Sequence, residues 1–265
     1  MNTQPRRKWH LQRWLLLLAA SLLAYAGWTQ YAFRSAIKEA RALGWEVRYS
    51  EPSERILKNW KTAFEKETWL YEVSYVTIPL DTPFEQDIDL IHRLNPTSLE
   101  INDAPTLPDL SEIKGLSRLF SLRIANGINL TNVDELKKFT RLEILTLRRC
   151  TELTNLDALK ELTALKLVVL TDCKGLTNVD GLENLTALQL VEMSDCTGLT
   201  NVDGLKKLTK TKWLNLSGCK GLTNVDALKN LTALKRITLY RCTGLTKESI
   251  AELKAALPNT TIRTD

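Results

Sequence analysis

The sequence predicts an α/β solenoid in which repeated strands stack into one parallel sheet. Two observations lead to this fold class. Apolar residues recur at fixed offsets through the last two-thirds of the chain, and cysteine recurs at every 23rd position from Cys150 to Cys242. A constant interval of this length is typical of a structural repeat. We therefore expect a structural ladder of free, buried thiols at one interior position, namely Cys150, Cys173, Cys196, Cys219 and Cys242.

Composition limits the chemistry that the chain can perform. Its 265 residues carry a formal net charge of +5, and four of those charges lie before position 14. A nearly neutral remainder argues against a nucleic-acid partner, because neutralising phosphates requires clustered Lys and Arg. The only histidines are His10 and His92, and no cysteines are paired at zinc-ligand spacing. We expect no catalytic residue, no metal site and no cofactor.

The N-terminus predicts contact with a membrane. Residues 1–13 form a basic cytoplasmic n-region, and residues 14–33 carry no charge. As a helix, the second segment would be about 30 Å long, which matches the hydrocarbon core of a bilayer. We expect a single-pass transmembrane signal-anchor helix with the N-terminus in the cytoplasm and the rest of the chain outside.

Two alternatives to an anchor remain open. Ala24-Tyr25-Ala26 fits the small-x-small cleavage pattern of a signal peptide, so cleavage near Ala26 would leave a secreted or periplasmic product. A buried helix of a soluble domain is the other alternative, and it is disfavoured because the segment is apolar on all faces.

Residues 34–97 predict an α/β linker and N-terminal cap. A solenoid exposes an apolar end that an atypical unit covers. The alternative is an independent small ligand-binding domain. The apolar pattern and the turn residues predict helices over Arg34 to Leu43, around Ile56 to Phe64, and over Pro83 to Leu94, with strands over Trp45 to Tyr49 and Trp69 to Leu80.

Residues 98–246 repeat the unit L-x-x-L-x-L-x-x-C-x-x-L-T-N-V-D-x-L-x-x-L-T-x. Ala104 and Gly127 occupy the cysteine position in two earlier units. This segment resembles the leucine-rich-repeat family, and its L-T-N-V-D-x-L part is similar to the short bacterial, internalin-like class. Cys stands where that class usually has Asn, and the unit is one residue longer. The resemblance implies a non-catalytic solenoid for protein-protein interaction, with a parallel β-sheet on its concave face.

Other positions of the unit lead to local predictions. The L-x-L core sends alternate side chains inward, as in a strand. The Asp after Asn-Val is expected to cap a short helical or 3-10 segment at Asp134, Asp157, Asp180, Asp203 and Asp226. An acidic ladder that binds cations is the alternative, although one carboxylate per unit lacks the ligands that calcium needs. Residues 247–265 predict a C-terminal cap helix and a last strand, with Ile262 in phase with Leu239.

Side chains between the inward leucines are expected to face a partner, from Glu100 and Asn102 through Thr146 and Arg148 to Thr261 and Arg263. Aromatic and Arg residues are common interface anchors. Our candidate protein-binding residues are Arg123, Arg148, Trp213, Tyr240 and Arg241, and the alternative is an unselected, solvated surface.

We expect a membrane-anchored extracytoplasmic module that binds a protein or peptide on its concave face. A structural, self-assembling cell-envelope component is the alternative. An enzyme is disfavoured, because the sequence holds no constellation of nucleophile, base or metal ligands.

Overall fold

The computed structural model describes residues 31–50, 72–78 and 88–265. Within these residues, ten strands form one sheet and follow one another in chain order. β1 is antiparallel to β2, and every later pair of neighbours is parallel. The strands are β1 (Glu46–Ser50), β2 (Glu72–Ile78), β3 (Ser98–Ile101), β4 (Ser121–Ala125), β5 (Ile144–Arg148), β6 (Leu167–Thr171), β7 (Leu190–Glu192), β8 (Trp213–Asn215), β9 (Arg236–Thr238) and β10 (Thr261–Arg263).

Helices cover the two ends of the solenoid, and short 3-10 turns connect its strands. The helices are α1 (31–42), α2 (Ile88–Leu94) and α3 (Lys247–Ala256). The 3-10 turns lie at Ser111–Ile113, Asp134–Lys138, Asp157–Leu159, Asp180–Leu182, Asp203–Leu205 and Asp226–Leu228. The predicted parallel solenoid with a small α/β N-terminal cap is therefore confirmed.

The N-terminal cap follows the predicted stop signals. Helix α1 is followed by Gly44 at φ +78°, a left-handed conformation that favours glycine. Helix α2 ends at Leu94, directly before the Asn95-Pro96 step. The predicted helix around Ile56 to Phe64 lies outside the described residues, as does most of the predicted span at 14–33. In the part of the chain that is described, no helix is long and apolar enough to cross a membrane.

The repeat length of the sequence appears in the structure as strand register. Val76 pairs with Leu99, Leu99 with Leu122, and Leu214 with Ile237, so partners from β2 to β9 are separated by the same interval as successive cysteines. β2 therefore joins the repeat ladder one unit before Ser98, within the segment predicted as the cap. Constant register places equivalent side chains of successive units next to one another.

One apolar core runs from α1 to α3. Leu145, Leu147 and Cys150 of one unit have no exposed surface, and the equivalent residues of the other units behave alike. Each buried leucine contributes about 1.5 to 3 kcal/mol, so neighbouring units stabilise one another. Thr211 stands where the flanking units have leucine, and its buried hydroxyl donates to the Leu188 carbonyl at 3.0 Å. The hydrogen bond offsets the cost of burying that hydroxyl.

The predicted cap of the 3-10 turns is wrong in one respect: the capping side chain is Asn, not Asp. Each Asp is the first residue of its turn, and its N–H donates to Oδ1 of the Asn two residues earlier. The Asp side chain does not cap the turn. The Asn side chain, two residues earlier, accepts the hydrogen bond from the Asp N–H and so forms an Asx turn. The five bonds join Asp134 to Asn132 at 2.7 Å, Asp157 to Asn155, Asp180 to Asn178 and Asp203 to Asn201 at 3.2 Å, and Asp226 to Asn224 at 2.7 Å.

The predicted phase of the last strand is also wrong. Ile262 pairs with Ile237 rather than Leu239, so the last offset is two residues longer than the repeat. The reason is helix α3, whose 10 residues replace a three-residue 3-10 turn and lengthen the unit. Consequently Arg263 lies beside Thr238 and not beside Tyr240.

Candidate protein-binding face

Side chains that alternate with the inward leucines cover the solvent-facing side of the parallel sheet, here called the concave face. Side chains two residues apart in a strand share one face. Register then aligns them in rows across the sheet. The first row is Ser98, Ser121, Ile144, Leu167, Leu190, Trp213, Arg236 and Thr261, and the second row is Thr77, Glu100, Arg123, Thr146, Val169, Glu192, Asn215, Thr238 and Arg263.

Four consecutive members of the first row are apolar, and we name them the apolar ridge: Ile144, Leu167, Leu190 and Trp213. Trp213 is 44% exposed, and the other three are half-buried. With strands about 4.8 Å apart, the apolar ridge is about 14 Å long. Of these residues, only Trp213 is among the predicted protein-binding residues. The signal for the others was an apolar side chain at one position of four successive units.

Arginines lie at the C-terminal end of the apolar ridge. Arg236 is the register partner of Trp213 and continues the same row. Arg263 lies one strand further, in the second row. Both side chains are exposed, and neither makes an ion pair with another described residue. Positive charge at this end is therefore available to a ligand.

A shallow depression of about 240 Å³ lies where the apolar ridge meets Arg236. Its walls include Leu190, Glu192, Trp213, Asn215 and Arg236. Asn215 Nδ2 donates to both carboxylate oxygens of Glu192, at 2.8 and 2.9 Å. The Ser194 N–H donates to Oε1 of Glu192 at 3.1 Å. The one carboxylate in the wall thus already has protein donors.

Four of the five candidate residues lie on the concave face. Trp213 and Tyr240 are 44% and 39% exposed, and Arg148 is exposed without an ion pair to any described residue. Arg123 pairs with Glu100 at 3.4 Å. Thr146, which was predicted to face a partner, is only 2% exposed and therefore does not contribute to that surface.

Arg241 lies at the rim of the sheet and is committed to intramolecular contacts. Its backbone has φ +57°, its N–H donates to Asp265 Oδ2 at 2.6 Å, and its Nη2 donates to Asp195 Oδ1 at 3.3 Å. Equivalent rim positions in neighbouring units also have positive φ. A second contact of this kind joins Arg149 Nη1 to Asn126 Oδ1 at 3.0 Å.

All five cysteines are free and buried. The thiols of Cys196, Cys219 and Cys242 donate to carbonyls of the preceding unit, at 2.9, 3.0 and 3.0 Å. A hydrogen bond with Cys150 raises the pKa of Cys173 to about 12, and burial raises the pKa of Cys242 to about 11. A thiol is a nucleophile or metal ligand only as a thiolate, so these two stay inert near neutral pH.

The described residues bring no metal-binding cluster together. In that part of the chain, no three His, Cys, Asp or Glu side chains are grouped to hold a metal ion. His92 is engaged elsewhere, since its Nε2 lies 2.8 Å from the Glu112 carbonyl oxygen.

Comparisons with known proteins agree with this geometry. Residues 124–246 match the family described as BspA type leucine rich repeat region, in 6 copies. Internalin C2 of Listeria monocytogenes is 18% identical over 73% of this chain and 81% of that chain, with a TM-score of 0.53. The leucine-rich repeat domain of the type III effector XopL is 19% identical over 89% of this chain and 88% of that chain, with a TM-score of 0.50.

At these identities, the two solved structures establish the fold alone. No curated protein matches the chain. The matched family is a repeat family of a kind that is usually non-catalytic, and no enzyme family is evident. Residues 124–246 therefore match the BspA-type leucine-rich-repeat family, and the described chain has the leucine-rich-repeat solenoid fold.

Proposed function

We propose that the chain is a membrane-anchored extracytoplasmic scaffold that binds a protein or peptide on its concave face. Leucine-rich-repeat scaffolds are typical of protein-interaction modules such as internalins and effectors. The observation that carries the proposal is the apolar ridge, which presents Ile144, Leu167, Leu190 and Trp213 on four successive strands.

The apolar ridge favours binding because covering it removes apolar surface from water, which contributes about 25 cal/mol per Å². Its leucines are not required by the core, since inward leucines of the same strands already fill the interior. Exposed Tyr240 and Arg148 lie on the same face of the sheet, each four residues along the chain from a position of the first row. Protein interfaces usually combine an apolar centre, enriched in aromatic and Arg residues, with a polar rim.

Site-specific photo-crosslinking in cells tests this use of the concave face. A photo-reactive amino acid at position 213 or 240 is expected to capture a partner, and one at exposed Lys254 of helix α3 is the matched control. Crosslinks from 213 and 240 that never exceed those from 254 contradict the proposal.

A ridge variant makes the test sharper. Leu190→Glu places a charge in the middle of the apolar ridge, and a buried, unpaired carboxylate is costly at an interface. Leu190 points outward and is half-buried, so the fold is expected to survive, which thermal unfolding checks. Capture from position 240 is expected to drop about tenfold or more. Unchanged capture by a folded Leu190→Glu protein would overturn the proposed role.

The membrane part of the proposal is supported by sequence: residues 1–13 are basic, and residues 14–33 are apolar and long enough for one span. Protease added to spheroplasts is expected to digest the repeats, and complete protection would reverse the orientation. An intact N-terminus on the mature protein supports the anchor, whereas a chain that begins after Ala26 indicates secretion or release to the periplasm.

The alternative function is a self-assembling component of the cell envelope. One observation favours it: β10 pairs with β9 on one side, and no described strand pairs with its other edge. Exposed strand edges are templates for association with another chain. Sedimentation velocity of the purified chain distinguishes the two functions, because self-assembly gives oligomers that grow with concentration without any added partner.

A further inference from the structure

We infer that the partner presents a short acidic segment, with apolar residues over the apolar ridge and carboxylates against Arg236 and Arg263. This inference rests on the proposed function of the concave face and adds the chemical class of the ligand. It is carried by the asymmetry of that face, where an apolar row runs directly into two arginines that have no ion pair with any described residue.

The apolar ridge limits how much of the partner it can cover. Its four side chains span three strand spacings, or about 14 Å. An extended peptide advances about 3.3 Å per residue, so about four residues lie over the ridge. A helix rises about 1.5 Å per residue and would use about nine. In either conformation, a single continuous segment is long enough.

The arginines determine the charge of that segment. Arg236 continues the row directly after Trp213. Arg263 is one strand further and one row over, about 8 Å from Arg236 between Cα atoms in a regular sheet. Long Arg side chains at this separation can converge on one or two carboxylates. Charge-assisted hydrogen bonds from guanidinium groups to carboxylates are among the stronger polar contacts.

Nearby acidic groups have other hydrogen-bond or ion-pair partners, and no described carboxylate forms an ion pair with Arg236 or Arg263. Glu192 accepts hydrogen bonds from Asn215 and Ser194. On the rim, Asp195 pairs with Arg241 at 3.3 Å, and Asp265 accepts from the Arg241 N–H at 2.6 Å. Arg236 and Arg263 thus lack an ion pair with any described residue, and each can form one with a ligand carboxylate.

A carboxylate-bearing peptide fits this face better than a nucleic acid. Phosphate backbones require a continuous row of cations, whereas here four apolar side chains precede the two arginines. The apolar ridge would face ribose and phosphate without a favourable contact. An apolar peptide segment followed by Asp or Glu satisfies both parts of the surface.

Peptide selection on the intact protein tests the inference. The full chain, immobilised in detergent micelles, is used to select from a displayed library of random peptides. Selected peptides are expected to carry a short apolar run next to Asp or Glu. Synthetic versions should bind the Arg236→Gln, Arg263→Gln double variant about tenfold more weakly, as expected for a lost charge-assisted contact.

Controls separate charge at this site from general electrostatics. Lys254→Gln removes one exposed positive charge from helix α3 and should leave peptide binding unchanged. Replacing the acidic residues of a selected peptide by Lys should abolish its binding. Because Arg236 and Arg263 are exposed, the double variant is expected to unfold at the same temperature as the parent.

The outcomes distinguish this inference from the proposed function on which it rests. Some selected peptides could fail to bind the Leu190→Glu variant and yet lack acidic residues, or bind the arginine double variant normally. That result would overturn the inference and leave the proposed function standing. Peptides that bind the Leu190→Glu variant normally would contradict both the inference and the proposed function. Crosslinks from position 213 that reach only a second copy of the chain would also overturn the inference, because the ligand would then be the solenoid itself.

Discussion

Arg241 donates a hydrogen bond to the carboxylate of Asp195 across an entire repeat, with Nη2 and Oδ1 3.3 Å apart. The two residues occupy the same position in units that are separated by a third unit. That middle unit has Gly218, whose missing side chain leaves the path open. A Cβ on Gly218 would lie only 2.1 Å from Asp195 Oδ1, and its φ of +76° adds backbone strain for a residue that has a Cβ. Gly218 thus allows both the turn in its own unit and the contact between Arg241 and Asp195.

Gly218→Ala is expected to destabilise the protein by about 1 to 2 kcal/mol, because alanine is strained at positive φ and its Cβ displaces the Asp195 carboxylate. Urea unfolding followed by circular dichroism measures the loss. The control is Arg241→Gln, which removes only an exposed ion pair and should cost less than about 1 kcal/mol. A Gly218→Ala protein as stable as the parent would contradict the strain argument.

The Asx turns predict that Asn, and not Asp, stabilises the 3-10 segments. Asn201 Oδ1 accepts from the Asp203 N–H at 3.2 Å, so Asn201→Ala is expected to cost about 1 kcal/mol in unfolding free energy. Asp203→Asn keeps that bond and should change stability by less than about 0.5 kcal/mol. Urea titration of both variants compares the two losses of stability. A larger loss for Asp203→Asn than for Asn201→Ala would identify Asp203 as the capping residue.

The raised thiol pKa values predict a loss of stability in alkali. Folded Cys173 and Cys242, with pKa values of about 12 and 11, keep their protons after unfolded thiols, with pKa about 8.5, have lost theirs. The folded state then binds more protons. Its extra stability is complete below about pH 8.5 and falls as pH rises toward these values, by about 1.4 kcal/mol per pH unit for each thiol.

Urea unfolding under reducing conditions, measured from about pH 8 to pH 10, shows this slope. Cys242→Ala should make the slope shallower by the contribution of one thiol. An identical slope in the parent and the variant would mean that the thiol titrates alike in the folded and unfolded chain.

Differences in burial predict the order in which the cysteines react. Cys242 is 8% exposed, whereas Cys150, Cys173 and Cys219 have no exposed surface. Native labelling with a small thiol reagent should therefore modify Cys242 first, and all five should react far more slowly than in denaturant. Peptide mass spectrometry after timed labelling gives the order. Equal rates at all five positions would show that labelling follows global unfolding instead of local exposure.

The stacking of the repeats was predictable from the sequence because it depends on one quantity, the constant length of the repeat. The interval between successive cysteines, such as Cys150 and Cys173, is also the offset between paired strand residues, such as Leu145 and Val168. Alternation of apolar side chains showed which of them point inward. The Asn cap was missed because spacing alone does not show which side chain reaches the first N–H of a turn. The register of β10 was missed because α3 lengthens the last unit by two residues.

The candidate site was only partly predictable. Trp213 and Tyr240 stand out in the sequence as single large side chains, whereas Ile144, Leu167 and Leu190 look like ordinary apolar residues. Their common row became visible once the strands were paired. Burial of Thr146 and commitment of Arg241 to Asp195 likewise depend on neighbours from other units.

By itself, the sequence determined the repeat, the inward leucines and cysteines, and the order of the strands, because these follow from a period of two within a strand and a constant length between strands. The tertiary structure alone decided which outward side chains are neighbours, which charges are already paired and where the last strand sits. Those properties depend on contacts between residues of different repeat units, and the local pattern of a single unit does not encode them.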